Sequence, residues 1–184
     1  MLAMVGRAAQ PGHAQSEHPE EPLARVREFL RRHGVDAELR VFPEPLPTTT
    51  AAAAALGVEP ARIAKTVVLA AGEHPVQVVA AGDRRVDRRR VAAALGVPKV
   101  RLAAPEEVRA WTGFVAGGVA PVAAIQPVPT LLDESLRRFD HIWAGGGVPE
   151  ALLRLRVADL PALTGGTFAA VCEEPPGSAG HGPS

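Results

Sequence analysis

The sequence contains no tyrosine and a single cysteine, Cys172, among its 184 residues. One cysteine cannot form an internal disulfide framework and indicates a reducing compartment. Aromatic residues supply only 4% of the chain, which argues against a platform of aromatic side chains that stacks unpaired bases. No apolar run approaches the ~20 residues that a membrane-spanning helix needs. We therefore expect a soluble, cytoplasmic protein with no membrane partner.

Motifs of metal and nucleophile chemistry are also missing. The chain has neither H-E-x-x-H nor C-x-x-C, so we expect no metal site and no cofactor. It has neither the G-x-S-x-G nucleophile elbow nor the G-x-x-x-x-G-K-[ST] phosphate loop. Cys172 borders a segment that we expect to be disordered, where a nucleophile would lack the packed side chains that activate it. Metal-dependent or covalent hydrolysis therefore has little support.

The overall composition is that of one globular domain. Hydrophobic residues make up 47% and charged residues 22% of the chain, as in folded proteins. Twenty basic side chains balance 20 acidic ones, so contact with nucleic acid would require a local basic patch. Segments rich in glycine, proline and polar residues predict disordered tails over 1–21 and 173–184. The folded domain is expected over 22–172.

Helix and strand signals alternate within that domain. Apolar periodicity and caps predict helices that end at Gly34, Gly57, Gly96 and Gly113 and a short helix from Asp133. The hexapeptide AAALGV at 53–58 recurs at 92–97, and we interpret both copies as helix ends capped by glycine. Short apolar runs predict strands over 35–42, 63–71, 76–81, 99–103, 130–132, 141–144 and, last, 152–157. Hairpin-like links among them favour an α/β fold with a mixed sheet over a doubly wound one.

Two segments carry chemistry that the fold alone does not explain. Lys65, one of two lysines beside 18 arginines, opens an otherwise apolar strand. Its ammonium needs acceptors, which a substrate could supply, although the side chain could also extend from the strand end into water. Gly117 and Gly118 precede Pro121, and adjacent glycines let successive N–H groups point into a concavity that suits an oxyanion. A flexible surface loop is the alternative for this glycine loop (117–121).

The order and spacing of these segments resemble the YbaK/EbsC and prolyl-tRNA-synthetase-associated editing domains. The likeness covers about 23–163. The matching pieces are IAKT at 63–66, AGDRRVD at 81–87, AAPEE at 103–107, TGF at 112–114, GGVAP at 117–121 and LDESL at 132–136.

This resemblance implies a mixed, partly barrel-like sheet surrounded by short helices, with a pocket between Lys65 and the glycine loop. It implies a free-standing hydrolase that removes the amino acid from mischarged tRNA, most often tRNA for proline, with prolyl-tRNA synthetase as a candidate partner. The lysine would contact the substrate, while Gly117, Gly118 and Pro121 would shape the catalytic pocket. The further substrate-contact candidates are Thr48, Thr66, Ala120, Asp133, Ala144 and Gly145, of which Thr48 and Asp133 are also helix caps.

An aminoacyl ester is already activated, so a positioned water could attack it without a protein nucleophile. Backbone N–H groups of the glycine loop could hold the oxyanion, and Lys65 could anchor the carbonyl, ribose or terminal phosphate. The neighbouring ribose hydroxyl could help to activate the water, since the sequence offers no obvious general base.

Three departures from the family pattern leave the expected fold unchanged but bear on substrate choice and activity. Many relatives have serine at the position of Ala120 and glycine at the position of Ala123, and many have serine before the pair Ala144-Gly145. The absence of these hydroxyls removes potential partners for water or substrate. The alternatives are a non-catalytic module that binds a tRNA 3′ end, a nucleotide or a protein partner in the same pocket, and a hydrolase for another small acyl ester.

The densest basic cluster lies between the two candidate segments. It could bind the phosphates of the acceptor stem. Because Asp83 and Asp87 lie within it, a solvated face with local ion pairs is the alternative. The arginines of this cluster are Arg84, Arg85, Arg88, Arg89 and Arg90.

Overall fold

Five α-helices and eight β-strands alternate along residues 20–175, the part of the chain that the computed structural model describes. The helices are α1 (Glu20–Arg32), α2 (Thr49–Leu56), α3 (Arg88–Leu95), α4 (Pro105–Thr112) and α5 (Leu160–Thr164). The strands are β1 (Leu39–Val41), β2 (Lys65–Ala71), β3 (His74–Ala80), β4 (Arg101–Leu102), β5 (Thr130–Asp133), β6 (His141–Gly145), β7 (Ala151–Arg156) and β8 (Thr167–Ala169). Most of the two predicted tails, 1–19 and 176–184, lies outside the described residues.

The strands form two sheets. The smaller sheet has the order β1-β7-β6 and is antiparallel throughout. The larger sheet has the order β4-β2-β3-β5-β8, in which β2 pairs antiparallel with β3 and β4, whereas β5 pairs parallel with β3 and β8. An isolated bridge between Ile63 and Trp143 joins them. The mixed α/β fold is therefore confirmed, although the sheets are not closed into a barrel.

The central hairpin of β2 and β3 is apolar on both faces because each face packs against its own core. Val68, Val79 and Leu132 belong to the core on one side. On the other side Val78 and Leu131, with Leu69 from β2, belong to a second core. A strand buried on both faces loses the polar alternation of a half-exposed strand, which explains the continuous apolar runs.

Both copies of the repeated hexapeptide end a helix in the same way. Gly57 follows α2 with φ 68° and Gly96 follows α3 with φ 67°. In this left-handed conformation, which glycine adopts without a Cβ clash, each glycine N–H reaches carbonyls near the helix end. The interpretation of the repeat as two glycine-capped helix ends is confirmed.

Strand prediction was least accurate where strands are short. β1 and β4 occupy only part of the predicted 35–42 and 99–103. The prediction that β7 is the last strand was wrong, because β8 follows α5 and pairs with β5. β8 consists of only the three residues after Gly166, too few to show the alternation of apolar and polar side chains that predicts a strand. None of the helices within residues 20–175 combines the length and apolarity needed to cross a membrane.

Candidate functional site

A cleft of about 240 Å³ lies where the starts of α2 and β2 meet the glycine loop and the end of β6. We call it the Lys65 cleft. It contains five of the predicted site residues, namely Thr48, Lys65, Thr66, Gly117 and Gly145. The rest of its lining is mainly apolar: Leu46, Pro47, Thr49, Ala52, Ile63, Ala64, Val119 and Leu152.

Lys65 is half-buried at the start of β2, and its ammonium is held in place. Nζ donates a 2.6 Å hydrogen bond to the backbone carbonyl of Arg84, which lies in the turn after β3. An ammonium has three protons, and this is its one hydrogen bond within residues 20–175. Two donors therefore remain for another acceptor.

Thr66 follows Lys65 on β2 and also lines the cleft. Its Oγ1 is buried and has no hydrogen-bond partner among the described residues. A buried hydroxyl without a partner destabilises a protein by ~1–3 kcal/mol. A bound molecule with a polar group at this point would offset that cost.

Thr48 caps α2 and also lines the cleft. Its Oγ1 accepts a hydrogen bond from the Ala51 N–H at 3.0 Å, as an N-cap of α2. A threonine hydroxyl that accepts in this way retains its own proton as a donor. Thr48 can therefore cap the helix and still donate into the cleft.

The glycine loop packs closely against the segment after β6. The Gly147 N–H donates to the carbonyl of Gly118 at 2.9 Å, and the Gly118 N–H donates to the carbonyl of Val115 at 3.0 Å. A Cβ added to Gly145 would lie 2.3 Å from the carbonyl oxygen of Val119, so only glycine permits this approach. The Gly118 amide is thus directed at Val115, away from the role of oxyanion donor that the sequence suggested.

Two other residues of this loop, Gly117 and Val119, line the cleft and have backbone amides without an acceptor among the described residues. Gly117 has φ 90°, and within residues 20–175 neither its N–H nor that of Val119 makes a hydrogen bond. These two groups, rather than the adjacent pair Gly117 and Gly118, are the backbone donors available to a ligand.

Four of the predicted residues lie outside the cleft lining. Ala120 and Ala144 are buried in the main core. The Pro121 carbonyl accepts a 2.9 Å hydrogen bond from Nε2 of Gln77, which does not line the cleft. Gly118 is buried beside Val148.

Asp133, a fifth predicted residue outside this lining, is a buried acceptor that ties the C-terminal segment to β5. One carboxylate oxygen accepts from the Ser135 N–H at 2.9 Å, and the other accepts from the N–H groups of Val171 and Cys172 at 3.0 Å each. Burial alone would raise the pKa of this carboxyl group, but the hydrogen bonds from Ser135, Val171 and Cys172 outweigh it and lower the pKa. These contacts match the helix-cap interpretation of Asp133.

Cys172 is buried in the second core and bridges to Val86, whereas the sequence placed it at the edge of a disordered tail. Burial, together with the nearby Asp133 carboxylate, raises the pKa of its thiol to about 12. The thiol is therefore protonated at neutral pH and is not a nucleophile. Within residues 20–175 no group of three or more His, Cys, Asp or Glu side chains could hold a metal ion.

Most of the basic cluster is engaged in ion pairs. The closest pairs are Arg90–Glu174 at 3.0 Å and Arg85–Glu173 at 3.6 Å. Weaker pairs of 3.9 Å join Arg84 to Asp83 and Arg89 to Asp87. Arg88 is exposed, and no carboxylate among the described residues pairs with it.

Sequence reasoning missed two side chains that anchor the glycine loop through hydrogen bonds to backbone carbonyls in it and around it. Gln77 is 3% exposed, and its Nε2 bonds both the Pro121 carbonyl and Oγ1 of Thr130 at 2.9 Å. A lone amide inside the apolar strand β3 was the available signal. Arg25, on α1, binds backbone carbonyls on either side of this loop and left no signal, because its partners lie 87 to 98 residues away.

This chain resembles known proteins both in sequence and in fold. EbsC of Enterococcus faecalis, a candidate Cys-tRNA(Pro)/Cys-tRNA(Cys) deacylase, is 31% identical over 65% of this chain and 73% of its own. A proline–tRNA ligase of Nitratidesulfovibrio vulgaris is 36% identical over 60% of this chain and 19% of the ligase. The crystal structure of a candidate trans-editing enzyme for prolyl-tRNA synthetase is 35% identical, with a TM-score of 0.79, over 84% of this chain and 98% of that one. Residues 43–163 match the aminoacyl-tRNA editing domain, and the chain belongs to that family.

Proposed function

We propose that this chain is a deacylase that acts in trans on mischarged aminoacyl-tRNA, with tRNA for proline as its substrate. One observation carries the proposal: a half-buried ammonium, held by the Arg84 carbonyl, stands in a cleft that the glycine loop also lines. A cation beside unpaired backbone donors suits a carbonyl that gains negative charge. Membership of the editing family supports the same chemistry.

The proposed reaction needs no protein nucleophile. A water oxygen attacks the ester carbonyl carbon, and the bond from that carbon to the ribose oxygen then breaks. The ribose oxygen leaves with a proton, which releases a free amino acid and a tRNA with a free hydroxyl. The amides of Gly117 and Val119 would donate to the oxyanion, a contact typically worth ~3 kcal/mol each. Lys65 would fix the ester relative to the water through its two remaining protons.

The lining of the cleft favours an uncharged amino acid. A space of about 240 Å³ with mostly apolar walls accepts an uncharged side chain more readily than a charged one, which would lose its hydration there. The name of EbsC includes cysteine attached to tRNA for proline, and cysteine meets this condition. Thr48 and Thr66 would supply the polar contacts.

The substrate of such an enzyme, a charged tRNA, indicates both its location in the cell and its candidate partner. We infer a cytoplasmic location because mischarged tRNA arises at synthetases there. The likeness to part of a proline–tRNA ligase supports prolyl-tRNA synthetase as the source of the substrate and as a candidate partner.

The first experiment measures release of amino acid from tRNA for proline charged with Ala, Cys, Ser or Thr. Wild-type protein is compared with Lys65→Ala and with Lys99→Ala, which removes the chain's other lysine at an exposed position. We expect release of one amino acid by wild type and Lys99→Ala and a loss of about 100-fold or more in Lys65→Ala. No release by folded wild-type protein from any member would overturn the proposal in favour of a binding module.

A further inference from the structure

We infer that Arg25, on α1, is a positioning residue that fixes the glycine loop by tying together the two ends of the segment that contains it. Its catalytic consequence rests on the proposed function, but its structural basis does not. Arg25 lies ahead of the segment 43–163 that matches the editing domain.

One guanidinium binds both ends of this segment. Nε donates to the carbonyl of Ala123 at 2.8 Å. Nη2 donates to the carbonyls of Gly113 at 3.1 Å and Thr112 at 3.3 Å. The planar group also lies over the ring of Phe114, with Cζ 4.6 Å from the ring centroid. Because the glycine loop lies between these two ends, the positions of its ends depend on Arg25.

The packing around Arg25 is close enough to require glycine at the first end. A Cβ added to Gly113 would lie 2.8 Å from Nη2 of Arg25 and 2.6 Å from Cγ2 of Ile125. Gly113 also has φ 70°, a conformation that L residues rarely adopt. The approach of the guanidinium to this carbonyl is therefore built into the turn.

The second end is held in an unfavourable conformation. Ala123 is the one non-glycine residue with positive φ, 63°, within residues 20–175. Left-handed backbone is disfavoured for alanine because Cβ approaches the following carbonyl oxygen. The hydrogen bond from Nε of Arg25 to the Ala123 carbonyl opposes relaxation of this turn, which would shift the amides of Gly117 and Val119.

Lysine could not replace this arginine. A guanidinium presents donors in a rigid plane, so that Nε and Nη2 can bind acceptors on two chain segments at once, whereas an ammonium on a flexible stem is a single point. Arg25→Lys therefore keeps the charge and breaks the link between the two segments. The matched control is Arg27→Lys, at an exposed position of the same helix.

The first readout is independent of activity. Hydrogen–deuterium exchange is followed in peptides that cover 113–123 and in peptides from the β2–β3 hairpin. In Arg25→Lys we expect exchange to rise about tenfold in 113–123 and to remain unchanged in the hairpin. Unchanged exchange in both regions, or an equal rise in both, would overturn the inference, because the first shows no anchoring and the second shows a general structural role.

The second readout is the kinetics of deacylation. Because the loop would act on the oxyanion rather than on the bound ester, we expect kcat of Arg25→Lys to fall about tenfold while KM changes less than about threefold. Millimolar guanidinium should restore part of kcat in Arg25→Ala and none in Lys65→Ala. A rise in KM at unchanged kcat, or failure of rescue in folded Arg25→Ala, would contradict a positioning role. Inactive wild-type protein would instead overturn the proposed function, and the exchange data would still decide the anchoring.

Discussion

The Lys65 ammonium donates a 2.6 Å hydrogen bond to the backbone carbonyl of Arg84. This acceptor is neutral, and no carboxylate within residues 20–175 forms an ion pair with Lys65. The hydrogen bond therefore fixes the side chain without cancelling its charge, in contrast to most of the neighbouring arginines. A cation held in this way can still attract a substrate carbonyl or phosphate.

Thr66 offers a test of the polar side of the cleft. Its Oγ1 has no partner among the described residues, so Thr66→Val removes no internal hydrogen bond and should not lower the free energy of unfolding. Removal of the buried hydroxyl should raise it by up to ~1–3 kcal/mol. If the hydroxyl contacts the substrate, kcat/KM should fall about 2- to 10-fold. Thr66→Ser, which keeps the hydroxyl, is the control. Equal kcat/KM in all three proteins would remove Thr66 from the site.

Local signals were sufficient for most of the fold. Thr48 caps α2 as predicted, Asp87 caps α3, and Gly57 and Gly96 end those helices. Each signal depends on residues within one or two turns of the helix, so it can be recognised without knowledge of the rest of the chain. β8 lacked such a signal because its pairing with β5 is determined by the tertiary structure.

The site was predictable only in part, because some of its contacts, like the pairing of β8, are determined by the tertiary structure. A lysine that opens an apolar strand is conspicuous in a sequence, and Lys65 does line the cleft. The anchors of the glycine loop, Gln77 and Arg25, act through carbonyls on distant segments. Any residue can provide a carbonyl, so the sequence carries no pattern that pairs it with its donor.

The basic cluster can be tested through the salt dependence of tRNA binding. Arg88 has no ion-pair partner within residues 20–175, whereas Arg85 pairs with Glu173 at 3.6 Å. If the cluster binds phosphates, Arg88→Gln should weaken binding and lower the slope of log affinity against log salt by about 0.7–0.9 for each phosphate that the variant no longer neutralises. Arg85→Gln should have a smaller effect. An unchanged slope in both variants would show that this face is merely solvated.

Asp133 should make stability depend on pH in acid. Hydrogen bonds hold the pKa of Asp133 below the ordinary 3.8 despite burial. The contribution of Asp133 to the free energy of unfolding is therefore complete above pH 3.8 and is lost as pH falls through the folded-state pKa. Asp133→Asn places an NH₂ group or a weaker acceptor against three N–H donors and should destabilise the protein at pH 7 by ~2–3 kcal/mol.

The measurement is denaturant unfolding of wild type and Asp133→Asn between pH 7 and pH 2. The difference between the two proteins should begin to shrink below about pH 4, where Asp133 of the unfolded wild-type chain takes up a proton, and should be lost as pH falls through the folded-state pKa. Asp140→Asn, at an exposed position, is the control. A difference that stays constant over the whole range would show that ionisation of Asp133 does not contribute.

Ala123 should tolerate removal of its side chain but not its enlargement. At φ 63°, glycine in place of alanine relieves ~1–2 kcal/mol of backbone strain. Two effects of the same substitution lower stability by about the same amount: the buried methyl group is lost, and the unfolded chain becomes more flexible. Ala123→Gly should therefore change the free energy of unfolding by less than about 1 kcal/mol. Ala123→Val adds a branched side chain to the same conformation and should destabilise the protein by at least ~2 kcal/mol. Ala124→Val, one residue further along the chain, is the control for added volume, and equal losses of stability in the two valine variants would contradict the assignment of the effect to backbone strain.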